Sequence, residues 1–116
     1  MKMMADVGAR LLELKGRGAG QRCFIMGNGP SLNRMNLGLL EREQVWGANR
    51  CFLLFDRVRW RPAFYTAMDP LAIQNSRERI SGMIRELAGT RFFFPVAARD
   101  QGWLDPADNV YFYRDA

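Results

Sequence analysis

The sequence predicts an α/β fold in which helices flank a mainly parallel sheet of about five strands. Short apolar runs end abruptly at Gly, Asn or Pro, which is typical of buried strands. Helical patterns separate most of these runs, and such alternation favours parallel pairing. The chain has 116 residues, of which 48% are apolar, so it is large enough to bury one core.

Residues 1–20 are predicted to form an N-terminal helix and a glycine-rich link. Met4, Val7 and Leu11 recur near helical spacing, and glycines at positions 16, 18 and 20 end the pattern. Residues 21–116 are predicted to form the α/β unit.

Within that unit, strands are expected over residues 22–26, 44–48, 63–68, 91–94 and 110–113. Helices are expected after Pro30 and over 37–43, 51–58 and 70–89, with an irregular loop over 97–108. A strand stays possible at 51–58, where the apolar residues have mixed spacing. The chain ends shortly after the last strand without a closing helix, which predicts an incomplete, half-domain unit.

The net charge of +5 comes almost wholly from arginine. The planar guanidinium suits phosphate and carboxylate, so a nucleotide, a sugar acid or a nucleic acid is a plausible partner, and a solvated arginine-rich surface is the alternative. Cys23 and Cys51 lie in apolar stretches without a CxxC pair, and the chain has no histidine. Two buried free thiols and no metal site are therefore expected, with a disulfide between the two cysteines as the less favoured alternative.

No apolar run approaches the roughly 20 residues that span a bilayer. The N-terminus also lacks the apolar region of a signal peptide. A cytoplasmic location is expected, with the periphery of the inner membrane as the alternative.

The clearest candidate site is the loop Gly27-Asn28-Gly29-Pro30-Ser31-Leu32, which follows the first predicted strand. Gly27 and Gly29 allow close backbone approach, so that peptide N–H groups at a helix start could bind a phosphate. Asn28 can donate to a phosphate and accept from a sugar hydroxyl, and Ser31 can cap the helix or contact the ligand. The loop lacks the third glycine of a dinucleotide fingerprint and the Lys-Ser/Thr pair of a P-loop. An ordinary strand-to-helix turn is the alternative.

Two further polar residues follow predicted strands. Asn49 ends the second strand, and Asp69 precedes Pro70 after the third. Each also fits a helix N-cap. Because the carboxyl ends of parallel strands share one edge of the sheet, these residues are expected near the glycine loop, in a nucleotide site.

The residues that carry these predictions also carry a family resemblance. The segment Cys23–Leu32 resembles the bacterial lipo-oligosaccharide sialyltransferases of glycosyltransferase family 42. It is similar as well to proteins of domain of unknown function 115, which include the 6-hydroxymethylpterin diphosphokinase-like proteins. The match continues through Val45–Arg50 and Phe64–Pro70, covers roughly residues 22–113, and is most specific at the GNGPSL segment.

The resemblance implies that residues 21–116 form a nucleotide-binding, Rossmann-like half-domain of a transferase. It implies that Asn28 and Asn49 contact the nucleotide of a CMP-sugar donor, with Thr66 or Asp69 at a third polar position. In the family the catalytic histidine lies in a second half that has no counterpart here. The chain is therefore expected to be the donor-binding part of a sialyltransferase-like glycosyltransferase in surface (lipopolysaccharide) polysaccharide biosynthesis. It would be inactive alone, with its catalytic residues unknown and its glycan acceptor bound by the full protein.

Two other functions stay open. A 6-hydroxymethylpterin diphosphokinase-like enzyme would transfer diphosphate from ATP and need Mg²⁺, for which Asp69 is the one well-placed carboxylate. A non-catalytic module for nucleic acid would use Arg57, Arg59 and Arg61, which alternate as on a strand face. A solvated loop explains the three arginines better, so nucleic acid is the less favoured partner.

Overall fold

The computed structural model describes residues 2–114, with side chains described from Val7 onward. Its sheet contains strands β1 (Phe24–Ile25), β2 (Val45–Ala48), β3 (Phe64–Thr66), β4 (Arg91–Pro95) and β5 (Val110–Tyr113). The strands lie in sequence order, and all neighbours are parallel. The predicted α/β fold with a parallel sheet and flanking helices is thereby confirmed.

Three α-helices accompany the sheet: α1 (Lys2–Leu12), α2 (Pro70–Glu86) and α3 (Val96–Asp100). Single 3₁₀ helices cover Pro30–Arg34, Leu37–Leu40 and Cys51–Leu54. Helix α2 begins at a proline and has Asp69 as its N-cap, which explains why its start could be predicted.

Several local predictions are wrong. The helices expected after Pro30 and over 51–58 are only short 3₁₀ helices, and α3 extends into the loop predicted over 97–108. The first strand is not buried: it is the two-residue edge strand, and the side chains of Phe24 and Ile25 are 41% and 85% exposed. Cys23, just before it, is also exposed rather than buried. A free edge of the sheet provides no second neighbour to cover these side chains.

The strand order makes the two faces of the sheet unequal. Right-handed crossovers between consecutive parallel strands all pass over the same face. On that face Val45, Tyr65, Phe92, Phe94 and Val110 are at most 1% exposed. They share a core cluster with Ile73, Ile80 and Met83 of α2.

On the opposite face, α1 covers β5. The Arg10 guanidinium lies over the Tyr111 ring at 4.3 Å and donates hydrogen bonds to the carbonyl oxygens of Ala107, Asp108 and Val110. Farther along this face, Ile25 is exposed, and Trp46, Phe64 and Phe93 are half-buried. We call these four residues of β1–β4 the open face.

A close contact joins β2 to the 3₁₀ helix that follows it. A Cβ atom added at Gly47 would lie 2.8 Å from the Cys51 sulfur, closer than packed atoms approach. Cys51 is 1% exposed, and its burial raises the pKa of the thiol to about 11. The strand therefore needs glycine at this position to bring Cys51 into the core.

We predict that Gly47→Ala lowers the free energy of unfolding by about 1–3 kcal/mol, because the added methyl group overpacks the contact with Cys51. Urea denaturation of both proteins measures the difference. Adding Cys51→Ala to this variant should restore part of the loss. The control is Gly8→Ala in α1, where no atom lies within 4 Å of the added Cβ. Equal effects at the two glycines would contradict the proposed contact.

The two cysteines should differ in reactivity. At about pH 8 a thiol reagent should modify one thiol, Cys23, in the native protein and both after denaturation. Because the pKa of Cys51 is raised, its thiolate fraction stays small until the pH approaches about 11. Cys23→Ser should abolish native labelling. Rapid labelling of Cys51 in that variant, under conditions where the protein is folded, would contradict its burial.

Candidate functional site

The carboxyl ends of β1, β2 and β3 place three loops along one edge of the sheet. The loop after β1 contains Gly27, Asn28 and Gly29, the loop after β2 contains Asn49, and the loop after β3 contains Asp69. One hydrogen bond joins the first two loops, since the Asn28 side-chain amide donates to the carbonyl oxygen of Ala48 at 3.1 Å. The first two candidate segments are therefore neighbours.

The glycine loop keeps free donors. Within the described part of the chain, the peptide N–H groups of Gly27, Asn28 and Gly29 donate no hydrogen bond to another residue. All three residues are exposed, so these donors face water or a ligand. The Asn28 amide has one N–H committed to Ala48 and keeps its second N–H and its oxygen for a ligand.

The expected α-helix start is absent, which changes how an anion can be bound. Pro30–Arg34 is a single 3₁₀ helix with Gly29 as its N-cap and no side-chain cap hydrogen bond. Ser31 lies inside this helix and does not cap it, and its side chain is exposed. A helix this short has little macrodipole, so the loop binds an anion through its peptide donors and neighbouring side chains.

Asn49 occupies a constrained backbone position. Its φ of +52° lies in the left-handed region, which asparagine tolerates better than most residues. Its N–H donates to the carbonyl of Thr66 at 3.0 Å, and its own carbonyl accepts from the Tyr65 hydroxyl. Burial raises the pKa of Tyr65, so this hydroxyl stays a donor at physiological pH. The backbone is fixed on both sides, while the Asn49 side chain is exposed.

The two candidates for the third polar position have structural roles. Asp69 accepts a hydrogen bond from the Leu71 N–H at 3.2 Å, as the N-cap alternative requires. The Thr66 hydroxyl donates to the carbonyl of Phe93 at 2.9 Å. Asp69 is exposed and keeps acceptor capacity for a ligand, whereas the only proton of Thr66 is already used.

A cleft beside the glycine loop adds two arginines to the site. It has a volume of about 390 Å³ and lies between the loop and the 3₁₀ helix Cys51–Leu54. Its lining residues carry no acidic side chain; they are Asn28, Gly29, Pro30, Leu32, Asn33, Arg50, Leu53, Leu54 and Arg57. Asn49 and Asp69 do not line it, so the predicted site is only partly assembled around this cleft.

Arg50 and Arg57 are the residues that the sequence patterns did not assign to the nucleotide site. Arg57 is held by a 2.9 Å hydrogen bond from Nη1 to the Asn33 side-chain oxygen. The alternating face that a nucleic-acid site at Arg57, Arg59 and Arg61 would require does not form, because residues 57–61 are not a strand; they form the loop that the sequence favoured. Arg61 instead donates to the carbonyls of Val58 and Trp60 and lies over the Phe55 ring. The sequence signal that could have identified Arg50 is its position directly after Asn49, at the end of a predicted strand.

On its other side the glycine loop borders an apolar groove of about 600 Å³. Exposed side chains of Phe24, Ile25, Met35 and Leu39 line it. The loop thus separates a basic cleft from an apolar groove. A ligand with a charged group and a flat, weakly polar group could contact both.

In residues 2–114, no three or more His, Cys, Asp or Glu side chains come together as a metal site would require. No helix among the same residues has the length and apolar character that crossing a membrane requires.

Comparison with known proteins yields no relative. No family model matches the chain, and neither curated proteins nor solved structures show significant similarity to it. The resemblance to the family 42 sialyltransferases and to domain of unknown function 115 therefore stays a prediction, and the geometry bears only on the nucleotide-binding part of the function proposed next.

Proposed function

We propose that this chain is the nucleotide-binding part of a sialyltransferase-like glycosyltransferase of surface polysaccharide biosynthesis, with a CMP-sugar type of donor. The observation that carries the proposal is the hydrogen bond from Asn28 to the carbonyl of Ala48. It holds the glycine loop beside the end of β2, where Asn49 lies, and so supports a single site for the two sequence motifs.

The phosphate is the part of the donor that this site suits best. Three free peptide N–H groups at residues 27–29 provide short-range donors, as in other backbone anion sites. Arg50 and Arg57 line the adjoining cleft, and guanidinium groups bind phosphate oxygens in a bidentate manner. With no acidic side chain in the cleft lining, nothing there opposes a negative charge.

The other candidate residues have narrower roles in this proposal. The Asn49 amide, whose backbone is fixed, binds the nucleoside, and the apolar groove lined by Phe24 and Met35 receives the base. Transfer of the sugar needs a base that deprotonates the acceptor hydroxyl. Because the chain has no histidine, we assign donor binding to it and no proton transfer.

The direct test is calorimetric titration of the full chain with CMP, CDP and ATP, with and without Mg²⁺. We predict that CMP binds without Mg²⁺ and that Asn28→Ala weakens binding about tenfold or more, since a side-chain hydrogen bond to the ligand and the tie to Ala48 are both lost. Asn75→Ala in α2 is the matched control, because this exposed asparagine lies outside the site.

The outcomes separate the candidate functions. ATP binding that depends on Mg²⁺, without CMP binding, would favour a pterin-type pyrophosphokinase. No nucleotide binding by a folded chain, with Asn28→Ala behaving as the parent protein does, would reject the proposal.

The two arginines make a second prediction. Arg50→Ala and Arg57→Ala should each weaken nucleotide binding by about 1.5–3 kcal/mol, the range for hydrogen bonds to charged groups. The parent affinity should fall as salt is raised, and this salt dependence should be smaller in both variants. Arg59→Ala is the control, since Arg59 is exposed and does not line the cleft. An equal loss in the control would indicate a general charge effect.

A further inference from the structure

In the described part of the chain, the open face over β1–β3 is bordered only by the end of α1 and the turns at residues 13–20. Parallel sheets bury both faces, usually beneath helices. Here all crossovers occupy one face, and α1 covers only the β5 side of the other. Ile25 on β1 is 85% exposed. Trp46 and Phe64, its neighbours across β2 and β3, are only half-buried.

A groove runs along this face beside α1 and the turns that follow it at residues 13–20. Its volume is about 410 Å³, and its floor and one wall are apolar, formed by Leu11, Leu14, Trp46, Phe64 and Phe93. Lys15, Arg17 and Arg91 supply its charged groups, and no acidic side chain lines it. The groove shares no lining residue with the basic cleft or the apolar groove of the nucleotide site, although Ile25 of the open face lines that apolar groove.

The arrangement of the aromatic rings disfavours a nucleic acid in this groove. The Trp46 ring stacks on Phe64 and on Phe93, with both centroid distances 5.0 Å and interplanar angles of 25° and 21°. The Phe64 and Phe93 centroids are 6.4 Å apart, and all three rings are half-buried. With Leu11 and Leu14 they form one shared apolar patch rather than separate ring faces on which successive nucleobases could stack. Ring edges and the leucines of α1 suit aliphatic side chains instead.

The dimensions fit a helix. Packed helices lie 8–10 Å apart, which is about twice the 4.8 Å spacing of strands. Helix α1 lies over β5, so a second helix packed beside it would lie over β3 and cover Trp46 and Phe64. Its apolar stripe would face the sheet, and the flank next to Lys15 and Arg17 would meet positive charge.

We propose that the open face binds one amphipathic helix of a partner protein, with acidic residues flanking its apolar stripe. The choice of an acidic partner rests on the positive charges of Lys15, Arg17 and Arg91 along the groove. A second copy of the chain has the same excess charge of +5, so it would meet repulsion where an acidic helix meets attraction. The proposal does not depend on the nucleotide-binding function.

The test uses the full chain and two synthetic peptides of roughly 18 residues, or about 27 Å of helix. Both have the same leucine stripe; the flanking residues are glutamate in one and lysine in the other. Calorimetry and tryptophan fluorescence should detect binding of the glutamate peptide on the order of tenfold tighter than the lysine peptide at low salt. The preference should shrink as salt is raised.

Charge reversal locates the site. Lys15→Glu combined with Arg17→Glu changes two exposed residues of the groove and should weaken the glutamate peptide about tenfold while improving the lysine peptide. The matched control is Arg59→Glu combined with Arg77→Glu, which reverses two exposed charges outside the groove and should leave the preference for the glutamate peptide intact.

Three results would overturn the proposal. Equal binding of the two peptides would indicate nonspecific apolar association. If the glutamate peptide does not bind the folded, monomeric chain, the open face does not bind an acidic helix. If sedimentation shows a dimer of the parent protein, and the groove variant is a monomer, the open face binds a second copy of the chain instead. Nucleotide titration of the same samples is independent, so the two proposals can fail separately.

Discussion

The consecutive order of five parallel strands is the constraint on which the other features of this molecule depend. With every strand beside its neighbour in sequence, each right-handed crossover passes over the same face. That face obtains the fully buried core of Tyr65, Phe92 and Phe94. On the other face α1 lies over β5, and among the described residues no second helix lies over the strands at the opposite edge. The same order puts β1 and its glycine loop at the edge of the sheet rather than at its centre.

The edge position explains the character of the candidate nucleotide site. A loop after a central strand would have a strand on both sides, whereas the loop after β1 has a strand, β2, on one side, to which the Asn28–Ala48 hydrogen bond ties it. On its outer side the loop borders the apolar groove. On its inner side it faces the 3₁₀ helix Cys51–Leu54, which Arg50 precedes and Arg57 follows. Ligand contacts would therefore come from backbone donors and arginines rather than from a helix dipole.

Sequence reasoning succeeded where local chemistry determines structure. Asp69 and Pro70 mark a helix start by capping and by a fixed φ, and α2 begins there. The predictions were wrong where the local preference for helix is weak and tertiary packing decides the structure. Pro30, Gly38 and the two asparagines between them disfavour a long helix, and the segment forms two 3₁₀ helices. The exposure of Ile25 and the approach of Arg50 and Arg57 to the glycine loop follow from strand order and folding at a distance, which a local pattern does not encode.

The left-handed backbone at Asn49 limits which residues can replace this asparagine. Two hydrogen bonds, to the Thr66 carbonyl and from the Tyr65 hydroxyl, hold this backbone conformation without using the side chain. A Cβ-branched residue would be strained here, whereas glycine and aspartate are among the residues that adopt the left-handed region most readily. Glycine removes the amide while preserving the backbone, and aspartate keeps the shape while adding a charge that phosphate repels. Substitutions at position 49 can therefore change the chemical group offered to a ligand without changing the backbone conformation of the site.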